Sequence, residues 1–320
     1  MKRICASKIL IFILILISSS TLASQACEKT EKTEINIVLA HGIFGFDKIG
    51  PIDYFNGIEE HLKDKHNASV FTAKVSPAGG IKERGEKLRQ EIINAIDNQN
   101  AYPCFNPDAP THIIAHSMGG LDSRYILSPG NIQNIGHLIT SLTTISTPHR
   151  GSPLADLFFL GFNPIIDFSK SWVNVDKVMK SLSDLGIKKD GLHDLTTEAM
   201  HKFNQEYEDN PNVSYFWTAG IGRDRFIKTS IILYPTHTYI WYVTQEKNDG
   251  AVTLSSANRG EAIGVPWYAD HFDQVGHDLN LLYGKPKNFD YLAKYDEIIA
   301  KIKIIHPKKL IAQNHSQHKY

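Results

Sequence analysis

The sequence is short of cysteine, with three in 320 residues at positions 5, 27 and 104 and none beyond. It lacks any excess of charge: Lys+Arg and Asp+Glu stand at 34 each, so no strongly basic surface points to nucleic acid or an acidic membrane. It contains no internal repeat and no low-complexity tract. Long hydrophobic runs are missing as well. The apolar stretch from Ile9 to Ile17 is too short to span a bilayer as a mature helix.

That stretch has another reading. Lys2, Arg3 and Lys8 precede or open it, and "SSSTLASQA" follows with small residues at cleavage positions, which is the layout of a secretory signal peptide over residues 1–26. Its removal takes away three basic residues and no acidic one, leaving 31 against 34 in a mildly acidic mature chain, 27–320, that acts outside the cytoplasm, secreted or periplasmic. Cys5 leaves with the leader, and an exported chain can pair Cys27 with Cys104. A lipobox at "SQAC", with Cys27 acylated, is the lesser alternative, since Ser24 stands where such boxes carry an apolar residue.

Within the mature chain, "INIVLAHG" (35–42) is an apolar run ending in glycine, a buried strand delivering a loop. "SVFTAKV" (69–75) precedes a helical pattern with Ile81, Leu88, Ile92 and Ile96 on one face. "THIIAHSMGG" is a strand running into a glycine turn, with a helix from about Leu121; "HLITSLTTIST" (137–147) and "NVSYFWTAG" (212–220) are further strands. Strands alternating with helices predict a single α/β domain, a mostly parallel sheet flanked by helices. Residues 153–200 break the rhythm with many large apolar side chains, and read equally as helices packed on the sheet or as a cap over a greasy substrate. The polar end, 306–320, reads as a frayed tail.

"AHSMG" (115–119) fits a nucleophile elbow with alanine at its first small position. A sharp strand-to-helix turn exposes the Ser117 hydroxyl, and only small residues at 115 and 119 avoid a clash. A bare Gly/Ser string arises often by chance; the strand before and the helix after lift this one above an ordinary turn. A serine nucleophile needs a base, an acid to orient it and donors for the oxyanion, in the chain order Ser, Asp or Glu, His. His271 follows the strand-like "EAIGVPW" and opens a loop; His149 comes too soon after the elbow, and His315 and His318 lie in the tail. Asp249 in "KNDGAV" is the acid, although "NDG" by itself also describes a hairpin turn. Asp270 and Asp273 are rivals that flank the histidine too closely to reach its Nδ1 without strain. The oxyanion donors are the Met118 amide and an amide of the "HGIFG" loop, at Ile43, with His41 propping that loop through hydrogen bonds.

Together these stretches resemble the Pseudomonas-type bacterial true lipases of the α/β-hydrolase superfamily. The resemblance rests on "VLAHGIFGFD" (38–47), "RGEKL" (84–88), "AHSMGG" (115–120), "RYI" (124–126), "STPHRGSPLAD" (146–156), "DLTTEAMHKFN" (194–204), "NDGAV" (248–252) and "DHFDQVGH" (270–277), in one order over nearly the whole mature chain. It implies an α/β-hydrolase fold with a helical lid after the fourth core strand, at 153–200, and hydrolysis of long-chain triacylglycerols at an oil–water interface. It also implies Ser117, Asp249 and His271 as a catalytic triad with Ile43 and Met118 as oxyanion donors. For a structural calcium ion it implies the Asp273 carboxylate with the backbone carbonyls of His277 and Leu281; the usual second carboxylate has no clear counterpart, Asp224 being poorly placed. Asp270 and Asp278 then read as solvated loop residues. The family's usual disulfide around the acid loop is missing here, and the strands that follow Cys27 and Cys104 are parallel neighbours in such folds, which predicts a Cys27–Cys104 bridge instead. Many such lipases depend on a membrane-bound foldase as a partner. A phospholipase or lipid acyltransferase would use the same triad; a non-catalytic lipid-binding protein would need neither triad nor small elbow residues; a metal-dependent hydrolase built on the 270–278 cluster lacks a second dense set of ligands.

Overall fold

The computed structural model describes residues 33–317 apart from 44–47, 50–51, 78, 99–100, 103, 161–188, 223–228, 231–232 and 279–288. Its strands are β1 (Ile35–Ala40), β2 (Lys48–Ile49), β3 (Ile52–Asp53), β4 (Ala68–Thr72), β5 (Thr111–His116), β6 (Ile139–Ile145), β7 (Ser214–Thr218) and β8 (Glu261–Ala262). Six of them form one sheet in the order β4-β1-β5-β6-β7-β8, and every neighbouring pair is parallel. The short β2 and β3 make a separate antiparallel pair. The helices are α1 (Ile58–His66), α2 (Ile81–Asp97), α3 (Gly119–Leu127), α4 (Pro153–Leu160), α5 (Lys189–His193), α6 (Thr197–Glu206), α7 (Tyr234–Thr244), α8 (Leu254–Ala257) and α9 (Tyr291–Gln317).

The continuous apolar runs of β1 and β5 become central strands because both faces of the sheet are covered. Alternate β1 residues serve opposite layers. Ile35, Ile37 and Leu39 pack with Ile58 and Leu62 of α1 and Ile298 and Ile302 of α9. Val38 and Ala40 face Leu88 and Ile92 of α2 and Ile126 and Leu127 of α3. Each such Ile or Leu contributes about 1.5–3 kcal/mol by leaving water. The periodicity expected for α2 holds: Ile81, Leu88 and Ile92 are buried, with Ile96 half-buried against the same layer.

Three features differ from the sequence reading. The helix after the elbow starts at Gly119 rather than Leu121, because the turn is completed within two residues of Ser117. "EAIGVPW" pairs as a strand only at Glu261–Ala262, since Gly264 sits at φ 52 and Pro266 offers no amide. The last helix runs on to Gln317, through the polar stretch expected as a frayed tail. Most of the apolar segment expected as a lid, 161–188, lies outside the described residues, as does the leader, 1–26. The described flanks of that segment, α4 and α5, are helical.

Candidate active site

The parallel sheet delivers β5 into a turn at its carboxyl end, where such folds place their ligands. Ser117 occupies that turn with φ 55, a left-handed conformation that costs a non-glycine residue about 1–3 kcal/mol and persists because its surroundings enforce it. Its amide donates to the Ile145 carbonyl at 2.9 Å, and its carbonyl accepts the Thr147 hydroxyl at 2.8 Å. The small flanking residue is required: a Cβ on Gly119 would lie 2.3 Å from the backbone oxygen of Ala40. Met118 immediately precedes α3, where helix-end amides and the helix dipole favour negative charge.

The loop after β1 runs against the same serine. A Cβ on Gly42 would fall 2.7 Å from Ser117 Cβ and 3.2 Å from its Oγ, so Gly42 borders the hydroxyl. Several groups fix this loop. The Gly42 amide donates to Tyr54 Oη at 3.1 Å, and Tyr54 Oη lies 2.7 Å from His116 Nδ1. His41 Nδ1 donates to the Gly42 carbonyl at 2.9 Å, the propping expected of it. The His41 carbonyl accepts Arg84 Nη2 at 2.7 Å, while Arg84 Nε donates to Asp122 Oδ2 at 2.8 Å and Nη1 reaches the Ser76 carbonyl. Arg84 and Asp122 are fully buried. Burial pushes the Asp122 carboxyl up to about 7, against the pull of the Arg84 guanidinium.

Removing Arg84 strips the hydrogen bonds it gives to Asp122 and to the Ser76 and His41 carbonyls and leaves those buried acceptors unsatisfied. Arg84→Met is therefore expected to cost about 3–5 kcal/mol of stability in urea unfolding. Its surviving folded fraction should show a lower kcat, because the His41 carbonyl loses its anchor.

The acid and the base meet on the neighbouring loops. Asp249 sits in the turn after α7, fully buried. Its Oδ1 accepts the amides of Ala251 (3.0 Å) and Val252 (2.8 Å), and its Oδ2 accepts His271 Nδ1 at 2.7 Å and Gln274 Nε2 at 2.9 Å. A backbone bond from the His271 amide to the Asp249 carbonyl, 3.0 Å, holds the two loops in register. Burial alone would raise the Asp249 carboxyl, yet the opposing His271 charge and hydrogen bonds from His271, Val252 and Ser146 hold it well below the usual carboxylate range. His271 also packs against His116, the residue before Ser117, with ring centroids 4.4 Å apart. Burial first, and the charge of His271 second, drive the His116 pKa well below its ordinary value, so a neutral ring stands beside the base. The Tyr54 phenol, raised by burial, keeps its proton. His271 and Asp249 are thus joined, and the His271 ring lies against His116, the residue before Ser117, while Asp270 and Asp273 make other bonds.

This arrangement has relatives. A family model described as the PGAP1-like alpha/beta domain matches residues 73–222. The fold is similar to the crystal structure of Staphylococcus hyicus lipase, with TM-score 0.61 at 20% identity over 89% of this chain and 99% of that one. It is also similar to a mature Bacillus licheniformis lipase, with TM-score 0.58 at 22% identity over 80% and 92% of the two chains. In sequence, it is 30% identical over 304 residues to a triacylglycerol lipase of Vibrio cholerae, spanning 86% of this chain and 92% of that protein. The chain belongs to the bacterial triacylglycerol lipases of the α/β-hydrolase superfamily. A Pseudomonas fragi triacylglycerol lipase is 29% identical over 77% of this chain and 89% of its own length. Triacylglycerol lipase 2 of Saccharomyces cerevisiae is 33% identical over 70% of this chain, which spans 62% of the yeast protein. As a member of this family the chain is a carboxylic-ester hydrolase.

Several residues of this lipase's site were not singled out from the sequence. Gln274 lay unremarked inside "DHFDQVGH", and Arg84 opened "RGEKL" without an assigned role. Asp270, expected to be solvated, is fully buried: its Oδ1 accepts the amides of Phe272 (3.0 Å) and Asp273 (3.1 Å) and its Oδ2 that of Ser230 at 2.6 Å. Asp273 Oδ2 returns the favour by accepting the Asp270 amide at 2.9 Å. Asp278, also expected to be solvated, is half-buried. These bonds bear on calcium, which takes six to eight oxygens. Among the described residues, Asp273 has one oxygen already engaged, both Asp270 oxygens carry amides, and His277 adds a carbonyl while its ring donates to the Tyr54 carbonyl at 2.9 Å. The expected carbonyl ligand Leu281 lies outside the described residues, as does Asp224. Cys104 is disulfide-bonded, and Cys27, its expected partner, also lies outside them.

Proposed function

We propose that the chain is an exported serine lipase that hydrolyses triacylglycerol through Ser117, His271 and Asp249. Ser117 Oγ attacks the ester carbonyl carbon while His271 Nε2 takes its proton. The amides of Ile43 and Met118 hold the negative oxygen of the tetrahedral intermediate, and water exclusion by the buried surroundings strengthens those bonds. His271 then gives its proton to the departing glycerol oxygen, leaving an acyl ester on Ser117. A water molecule, deprotonated by the same ring, attacks that ester; collapse of the second intermediate returns the proton to Ser117 and releases the fatty acid. Asp249 keeps the imidazole oriented and stabilises its charged form throughout. Every proton is handled by the chain's own groups, so the chemistry calls for no cofactor.

The observation that carries this reading is the short bond from His271 Nδ1 to a buried, ionised Asp249, with the histidine ring set against the residue preceding the elbow serine. The lipid substrate draws support from α7, which packs against α4 at the entrance to the expected lid and leaves Trp241 and Tyr242 about half exposed. Aromatic side chains of this kind suit a lipid–water boundary. The N-terminal order of basic, apolar and small residues supports export.

Initial rates on emulsified triacylglycerol, phospholipid vesicles and a soluble short-chain ester test the substrate class. The expected result is triacylglycerol turnover that rises once the substrate passes its solubility limit. Turnover of phospholipid alone would replace the triacylglycerol reading with a phospholipase, and turnover of the soluble ester alone would replace it with an esterase.

A further inference from the structure

On the sheet face formed by α1 and α9, three side chains converge on one point. His61 Nε2 lies 2.8 Å and His66 Nε2 2.6 Å from the same oxygen, Oδ1 of Asp296. The other carboxylate oxygen is 2.7 Å from Lys65 Nζ. His61, His66 and Lys65 all come from α1, and Asp296 from α9. Among the described residues this is the group of His, Cys, Asp and Glu whose ligand atoms all lie within 4.8 Å of one another. All three side chains are half-buried, so an ion reaches them from solvent without opening the fold.

We propose that His61, His66 and Asp296 form a zinc site that clamps α9 to α1. Two imidazole nitrogens and one carboxylate oxygen are the donor set of a nitrogen-preferring divalent ion, unlike the all-oxygen sets of calcium or magnesium. Ligands of a tetrahedral zinc, each about 2.0–2.2 Å from the ion, stand roughly 3.3 Å from one another. The two nitrogen–oxygen separations therefore open by about half an ångström as the ion enters, within the reach of side-chain rotation on the protein's surface. To ligate, each ring carries its proton on Nδ1 and presents the Nε2 lone pair to the metal, and water fills the fourth position. Lys65, largely exposed, holds the second Asp296 oxygen and so orients the ligand from behind.

The location gives the ion a structural task. Tyr295, next to Asp296, is fully buried and donates its hydroxyl to the Gln274 carbonyl at 3.3 Å, and the Gln274 side chain holds Asp249. Pinning α9 at Asp296 thus steadies the helix that supports the acid's partner, some distance from the chemistry itself.

The test uses untagged full-length protein stripped with a chelator and dialysed, titrated calorimetrically with zinc chloride. One equivalent is expected to bind and to raise the Tm. In His61→Gln/His66→Gln each glutamine can still donate an N–H to Asp296 but offers no imidazole lone pair. That variant should lose the one-equivalent isotherm and the zinc-dependent rise in Tm while keeping a metal-free Tm close to wild type. An isotherm unchanged in the variant, or absent from wild type, would overturn the site. Should the double variant fail to fold, cobalt chloride added to stripped wild type decides: intense visible bands of a four-coordinate Co²⁺ are expected, and their absence would overturn it.

Discussion

Alanine at position 117 is expected to lower kcat on a soluble ester by about 10⁶-fold while leaving the fold intact. The size of the effect follows from the division of labour. Without the serine oxygen no acyl-enzyme forms, and His271 and Asp249 have nothing to activate; the two oxyanion amides alone sustain only the slow attack of water. Stability should change by less than about 1 kcal/mol, because serine and alanine suffer the same steric penalty at φ 55 and the amide and carbonyl of residue 117 keep their bonds to Ile145 and Thr147. Turnover and urea unfolding measured on the same preparation separate the two effects. Activity retained above a few per cent would show that another group performs the attack.

Asp249→Asn is expected to reduce kcat by about 10⁴-fold, through the tautomer of His271 rather than through loss of contact. Asp249 Oδ1 accepts two amides, from Ala251 and Val252, so the asparagine oxygen is held on that side. Its NH₂ group must then face His271 Nδ1 and Gln274 Nε2, where a carboxylate oxygen accepted both. A donor there forces the imidazole to present a lone pair at Nδ1 and carry its proton on Nε2, facing the serine, where it cannot serve as a base. The pH dependence has a definite sign. The folded carboxyl is held below its unfolded value near 4, so folding favours the ionised form. This contribution is fully present above pH 4 and is lost as pH falls from there through the folded value. The variant should accordingly show a shallower acid slope of stability below about pH 4. In the wild type the carboxylate stays ionised above that range.

The parts of the site that could be read from the sequence are those whose chemistry is local. The elbow is one continuous strand–turn–helix, so small residues at 115 and 119 speak for a clash that the structure places 2.3 Å from Ala40. Asp249 and His271 follow from chain order and from a turn tripeptide, and a 2.7 Å bond joins them. Alternation of strand and helix was enough for the parallel sheet because both faces of its central strands are apolar.

What escaped depends on packing between distant segments. Tyr54 meets His116 across 62 residues, Arg84 reaches both Asp122 and the His41 carbonyl, and Gln274 meets Asp249 across a loop. No periodicity or spacing encodes such meetings. Asp270 was misjudged for a related reason: charged loop residues are usually solvated, and only the closed turn reveals three backbone amides that it must satisfy. The pair His61 and His66 looks unremarkable on a polar helix until Asp296, 230 residues further on, is laid beside it.

Mass spectrometry of protein inactivated by a fluorophosphonate tests the serine mechanism most directly. The expected result is one phosphonyl adduct per chain, on the peptide that contains Ser117, with labelling abolished in Ser117→Ala and strongly slowed in Asp249→Asn. An adduct on another residue, or equal labelling of Ser117→Ala, would contradict it.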